Sequence, residues 1–166
     1  MADDDPLAGC TKLADGFKAA DVLRRDHPAT YAYFTRVAVP FQHVEGDVHM
    51  RCTAPVFRLH PSGQTVVGVR YNETDRAPLD SLDFDDVGAF YTHVRVLESV
   101  FESLQMPLRL EVGDAVLIDN HRVLHGRFAF EGHRNLLGCY MTVDDWQSRL
   151  RVLGTAYSDA AQTATS

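Results

Sequence analysis

The sequence predicts a mainly β domain with flanking helices and one long packed helix, and three observations predict it. Between residues 37 and 71, short β-branched and aromatic runs recur at 37–43, 49–53, 56–59 and 65–71, and His60-Pro61-Ser62-Gly63 supplies a hairpin turn between the last two. Further short runs follow at 108–112 and 115–119, around the turn Gly113-Asp114, and then as strand, loop, strand, turn, strand across 117–140. Between the two β regions, Val87, Phe90, Val94, Leu97, Phe101 and Leu104 recur at alternating steps of three and four, the stripe of a helix packed by one face.

The remaining elements have local reasons. Residues 1–14 form a polar, acidic lead-in that is expected to fray. Asp15-Gly16 opens a short amphipathic helix to Arg25 with Phe17, Ala20 and Leu23 at helical spacing. Pro28 starts a second helix, to about Thr35, that carries Tyr31 and Phe34 inward, since proline suits a first helical turn. Residues 72–82 read as a loop with Pro78. Asp83, Asp85 and Asp86 then sit at the positive end of the long helix, and Pro107 follows its end. Asp144-Asp145 caps a final helix with Trp146, Leu150 and Leu153 facing inward, and residues 154–166, small and polar, are expected to be disordered. The organisation is thus lead-in, one domain over 15–153, and tail.

Composition is that of an ordinary single domain. The 166 residues are 45% hydrophobic and 23% charged, which suffices for a core. A formal charge of −7, with no cluster of Lys and Arg, argues against a nucleic-acid partner, because phosphate binding needs such clusters. No apolar run approaches the roughly 20 residues that span a bilayer, so no membrane partner is expected. Three cysteines without a Cys-x-x-Cys pair speak against a zinc ribbon or disulfide framework and for a reducing compartment. The acidic start has neither an Arg-rich presequence nor a signal-peptide core. A cysteine hydrolase is disfavoured because no cysteine lies in a nucleophile-turn context.

The chemistry concentrates between residues 117 and 140. In the last expected strand, a period of two puts Arg134, Leu136, Gly138 and Tyr140 on one face. With a turn near 129–131, antiparallel pairing would bring His125 close to Arg134. An imidazole, a guanidinium and an aromatic ring would then line one cavity. Taken singly, each residue has a plainer reading: His125 as a hydrogen-bonded structural histidine, Arg134 as a surface ion pair, Tyr140 as a core ring and Asn72 as a turn residue.

The string Ile118-Asp119-Asn120-x-Arg122-Val123-Leu124-His125-Gly126-Arg127, followed by Arg134-x-Leu136-x-Gly138-Cys139-Tyr140-x-Thr142-x-Asp144-Asp145, resembles the C-terminal half of the carnitine-pathway dioxygenases. That family comprises the trimethyllysine and gamma-butyrobetaine dioxygenases, within the taurine-dioxygenase-like superfamily of iron(II) and 2-oxoglutarate enzymes. Asp15-Gly16-Phe17-x-Ala19-Ala20 and Arg70-Tyr71-Asn72-x-x-Asp75-Arg76-Ala77 extend the resemblance over most of residues 15–154, and the latter string favours the trimethyllysine branch. The resemblance implies a double-stranded β-helix, or jelly-roll, with the long helix packed outside. It implies that His125 is the distal histidine of a two-His, one-carboxylate iron(II) site. It implies that Arg134 clamps the far carboxylate of 2-oxoglutarate, that Tyr140 helps enclose a trimethylammonium group, and that Asn72 faces the substrate's polar end. The implied substrate is a small molecule, trimethyllysine or gamma-butyrobetaine; a homodimer is a further expectation for the assembly. The implied compartment is intracellular: the cytoplasm, or the mitochondrial matrix if a presequence exists.

Two departures stand beside the resemblance. His121 occupies a position where close relatives carry Trp. More seriously, the family's first two ligands come as His-x-Asp ahead of the Asp-Gly-Phe string, and none of the eight histidines here is followed two residues later by Asp. The nearest match, His43-Val44-Glu45, falls after that string and reads as a strand end. The expectation is therefore an incomplete jelly-roll, the C-terminal portion of such an enzyme. A non-catalytic truncated module is the alternative.

Overall fold

The computed structural model describes residues 6–163, with side chains to residue 154; the first five residues of the expected lead-in and the last three of the tail lie outside it. The chain divides into two compact units, Met1–Glu131 and Gly132–Ser166.

The first unit opens on a strand where fraying is expected. β1, Thr11–Asp15, is the central strand of a three-stranded antiparallel sheet, flanked by β6, Met106–Leu108, and β7, Val123–Arg127. Lys12 pairs with Pro107 on one side and with Gly126 on the other. Ala14 within it and Cys10 just before it are buried. Asp15 then stops the strand and starts the first helix: its carboxylate accepts hydrogen bonds from the amides of Phe17 and Lys18 at 2.9 and 3.2 Å. This helix, α1, is Gly16–Asp26, and α2, Pro28–Arg36, follows with its proline in the first turn, as the sequence predicts.

β2, Ala38–Glu45, and β3, Val48–Pro55, form a hairpin around Gly46, whose φ of +56° suits a tight turn. β4, Phe57–Leu59, and β5, Val66–Val69, form a second hairpin. The free edge of β2 is met by the chain after residue 72. Gln42 donates to the Asp75 carbonyl, Ala77 donates to the Pro40 carbonyl, and Phe41 bridges to Arg76. The long helix α3, Phe84–Ser103, buries Phe90, Val94, Leu97, Val100 and Phe101. The predicted stripe is therefore core packing, against Leu23 of α1, Phe34 of α2 and Phe57 of β4, all 0% exposed. A Phe or Leu buried so fully contributes about 1.5–3 kcal/mol. Leu97→Ala should lower the unfolding free energy by about 2–5 kcal/mol, read as a fall in urea midpoint at constant slope.

The β-rich expectation for the C-terminal half is met only in part. The run expected at 108–112 yields only the short β6, and the runs at 115–119 and 133–141 form no strand. Alternation supplies the propensity, but a strand also needs a hydrogen-bonded neighbour, and none is present there among the described residues. Among the described residues the strands make three separate sheets and no closed barrel, so the mixed strands and helices fall short of the double-stranded β-helix.

The second unit contains α4, Val143–Thr163, which continues past the expected end at Leu153 into the stretch read as disordered. Its cap is Thr142, one residue before the helix begins and two before the predicted acidic pair. The Thr142 hydroxyl accepts from the Asp145 amide at 3.1 Å and donates to the Asp145 carboxylate at 2.6 Å. Trp146, Leu150 and Leu153, predicted to face inward, are 40%, 49% and 38% exposed. Among the described residues no helix is long and apolar enough to cross a membrane.

Candidate functional site

His125 lies in β7, opposite Leu13 of β1 in the antiparallel register, and its side chain is exposed. Its Nδ1 is 3.4 Å from the carbonyl oxygen of Val123. The approach to β7 is fixed by several groups. The Asp119 carboxylate accepts from the His121 amide at 3.0 Å, and the Asp119 carbonyl accepts from the Arg122 and Val123 amides. Arg122 then reaches back to Asp15, with Nε at 3.1 and 3.2 Å from the two carboxylate oxygens and Nη2 at 2.6 Å. Its guanidinium also lies over the Phe17 ring at 5.2 Å, and its carbonyl accepts from the Gly16 amide at 2.8 Å. One aspartate thus caps α1 and clamps the start of β7.

The Arg122 hydrogen bond is the chief reason that Asp15 holds its carboxyl below the ordinary carboxylate range; desolvation opposes it, and the two backbone amides assist. A depressed folded pKa contributes stability that is present above the unfolded value and lost as pH falls through the folded one. The pair is part-exposed, so solvent screening limits its worth to about 1 kcal/mol. Urea unfolding should therefore show a loss of that order as pH falls below about 3.8, and Asp15→Ala, which also removes the cap, should flatten it.

The other expected residues are placed differently. Asn72 is a turn residue: its side-chain oxygen accepts from the Thr74 amide and hydroxyl at 3.1 and 2.8 Å, and its amide donates to Asp75 at 2.6 Å. Nearby, Tyr71 donates a short hydrogen bond to Glu98, and burial together with that carboxylate pushes its phenol pKa well up. Arg134 and Tyr140 belong to the second unit, where Arg134 is half-buried and Tyr140 is 89% exposed. Among the described residues no strand lies between β7 and the helix that starts at Val143, so no ladder there pairs the segment of Arg134 with β7. His43 and Glu45 point to the same side of β2, 3.4 Å apart and both exposed, an ordinary strand-end pair.

Among the described residues, no group of three or more His, Cys, Asp and Glu side chains could hold a metal ion. An iron(II) site of two histidines and a carboxylate is therefore not assembled by the described residues. The motif strings contain Asp15 and Arg122 but give neither a role. An Asp before Gly-Phe is a legible cap, but the pairing of two residues so far apart in the chain has no local signal.

Residues 3–140 match the family model described as taurine catabolism dioxygenase TauD, TfdA family. The chain is 38% identical over 152 residues to the mitochondrial trimethyllysine dioxygenase of Gallus gallus, covering 88% of this chain and 36% of that protein. It is 36% identical to the mitochondrial trimethyllysine dioxygenase of Homo sapiens, with the same coverage of each chain. It is 35% identical to the gamma-butyrobetaine dioxygenase of a Pseudomonas sp. (strain AK-1), covering 90% of this chain and 40% of that protein. The chain thus spans well under half the length of these relatives. With most of its length matched by one family model, and the Asp-Gly-Phe and His-Gly-Arg strings joined through Asp15 and Arg122, the chain belongs to the TauD, TfdA dioxygenase family.

Proposed function

We propose that this chain is the C-terminal portion of an iron(II)- and 2-oxoglutarate-dependent dioxygenase that hydroxylates a trimethylammonium-bearing amino acid, N6,N6,N6-trimethyllysine before gamma-butyrobetaine, in carnitine biosynthesis. The observation that carries the reading is 32–38% identity to trimethyllysine dioxygenases along 86–88% of the chain. In this reading His125 offers its imidazole as one metal ligand. Arg134 presents a planar fork of donors to the distal carboxylate of 2-oxoglutarate. Tyr140 gives a ring face to the trimethylammonium group, a contact worth roughly 0.5–2 kcal/mol. Asn72 stands near the substrate's polar end, although its turn bonds would have to open first. The compartment follows the animal relatives, whose names are mitochondrial, and a homodimer is the proposed assembly.

A second reading is a module without catalysis, and the lack of a complete ligand set among the described residues favours it for the chain in isolation. Both readings give the same expectation for that chain: very weak iron(II) binding and no succinate formed from 2-oxoglutarate with trimethyllysine present. Succinate above a His125→Ala control would overturn that expectation, and His43→Ala in the same assay tests the His43–Glu45 pair. The two readings separate when the coding sequence ahead of Met1 is read for an in-frame His-x-Asp segment and the product of the extended frame is assayed. Trimethyllysine-dependent succinate establishes the first reading. Its absence in a protein that carries all three ligands rejects it.

A further inference from the structure

The Nδ1 of His125 lies 3.4 Å from the Val123 carbonyl oxygen, and a carbonyl only accepts. The contact is a hydrogen bond only when Nδ1 carries the proton, and Nε2 then keeps its lone pair on an exposed ring. The carbonyl belongs to the first residue of β7, where the strand meets the β1–α1 corner. Val123 is opposite Asp15 in the sheet register, and the preceding residue, Arg122, grips the Asp15 carboxylate with both Nε and Nη2. The Gly16–Arg122 backbone bond and the Arg122–Phe17 stacking hold the same corner.

We propose that the Asp15–Arg122 pair is a positioning device for His125. By clamping the start of β7 to the β1–α1 corner, it keeps the Val123 carbonyl against Nδ1 and selects the ring tautomer whose Nε2 is free to act as a donor to a ligand. The inference rests on the proposed function only for its purpose, because a lone pair held outward at Nε2 is what a metal-binding imidazole needs. The tautomer itself is a property of this chain alone.

Nitrogen-15 NMR of the metal-free chain in alkaline solution, where only neutral rings contribute, reads the tautomer of His125 directly. The protein as it stands should show mainly Nδ1–H. Arg122→Ala should shift the tautomer ratio roughly fivefold toward Nε2–H, the equivalent of one hydrogen bond of about 1 kcal/mol. Arg122→Lys should recover part of the shift, since Lys keeps the charge but not the fork. Asp15→Asn keeps a good cap for α1 while removing the charge, so it should shift the tautomer without loosening α1 amides in hydrogen exchange. Mainly Nε2–H in the unaltered chain, or an unchanged ratio in Arg122→Ala and Asp15→Asn proteins whose α3 amides remain protected, would overturn the proposal. Because no metal enters the measurement, failure of iron binding or turnover elsewhere leaves this result standing, and the reverse holds as well.

Discussion

On the proposed function, Arg134→Ala in the extended dioxygenase is expected to weaken 2-oxoglutarate binding by about 30-fold to several-thousand-fold. A dicarboxylate held at one end leaves its other carboxylate buried and in need of a charged, multi-donor partner. Removing one partner of a buried, hydrogen-bonded charge pair costs on the order of 2–5 kcal/mol, much of it the penalty for the charge left behind. Arg134 is half-buried, unlike the 89% exposed Tyr140, so its guanidinium is already partly withdrawn from water in this chain. Lys keeps the charge but presents a point instead of a planar fork, so Arg134→Lys should fall between the two. The loss should appear in the 2-oxoglutarate dependence much more than in trimethyllysine binding. Titration of 2-oxoglutarate into the reconstituted Arg134→Ala protein decides it: unchanged affinity would make Arg134 a structural residue and break the carry-over of the family motif onto this segment.

What can be read from the sequence divides by the range of the interactions involved. The stripe from Phe90 to Phe101 is legible because a helix is written in neighbours three and four apart, and the structure buries those residues. The hairpin around Gly63 is legible for a similar reason, since turn chemistry and two flanking runs lie within one short window. β1 is not, because Thr11–Asp15 is brief and polar at its start, and its partners Pro107 and Gly126 come from far along the chain. The opposite error arises at residues 133–141, where alternation alone suggests a strand and no ladder neighbour is present among the described residues. The site follows the same divide. His125, Arg134, Tyr140 and Asn72 are proposed from motif strings, which identify residue types and not their neighbours. The structure adds that Asn72 spends its side chain on a turn, that Arg134 and Tyr140 belong to a unit other than that of His125, and that Asp15 and Arg122 anchor the strand carrying His125.

That anchor makes one small substitution expensive. A Cβ placed on Gly16 would lie 2.8 Å from the Arg122 carbonyl oxygen, 2.8 Å from Val69 Cγ2 and 2.9 Å from Leu124 Cδ1. The two methyl groups can yield a little. The carbonyl cannot, because it accepts the Gly16 amide at 2.8 Å and moving it would pull Arg122 off Asp15. Gly16→Ala should therefore destabilise the chain by about 1–3 kcal/mol, and by more if the ion pair parts with the backbone bond. Helix propensity pushes the other way, since Ala is favoured over Gly by up to about 1 kcal/mol in a helix interior, and at the first residue of α1 the gain is smaller. Gly88 isolates that opposing effect: it is exposed within α3, and a methyl group added there would meet nothing within 4 Å, so Gly88→Ala should stabilise by a few tenths to about 1 kcal/mol. The same chemical change thus carries opposite signs at two helical glycines. Urea midpoints at constant slope read both, and a Gly16→Ala protein as stable as its parent would mean that the corner joining β1, α1 and β7 has slack, which would also weaken the case for Arg122 as the clamp on His125.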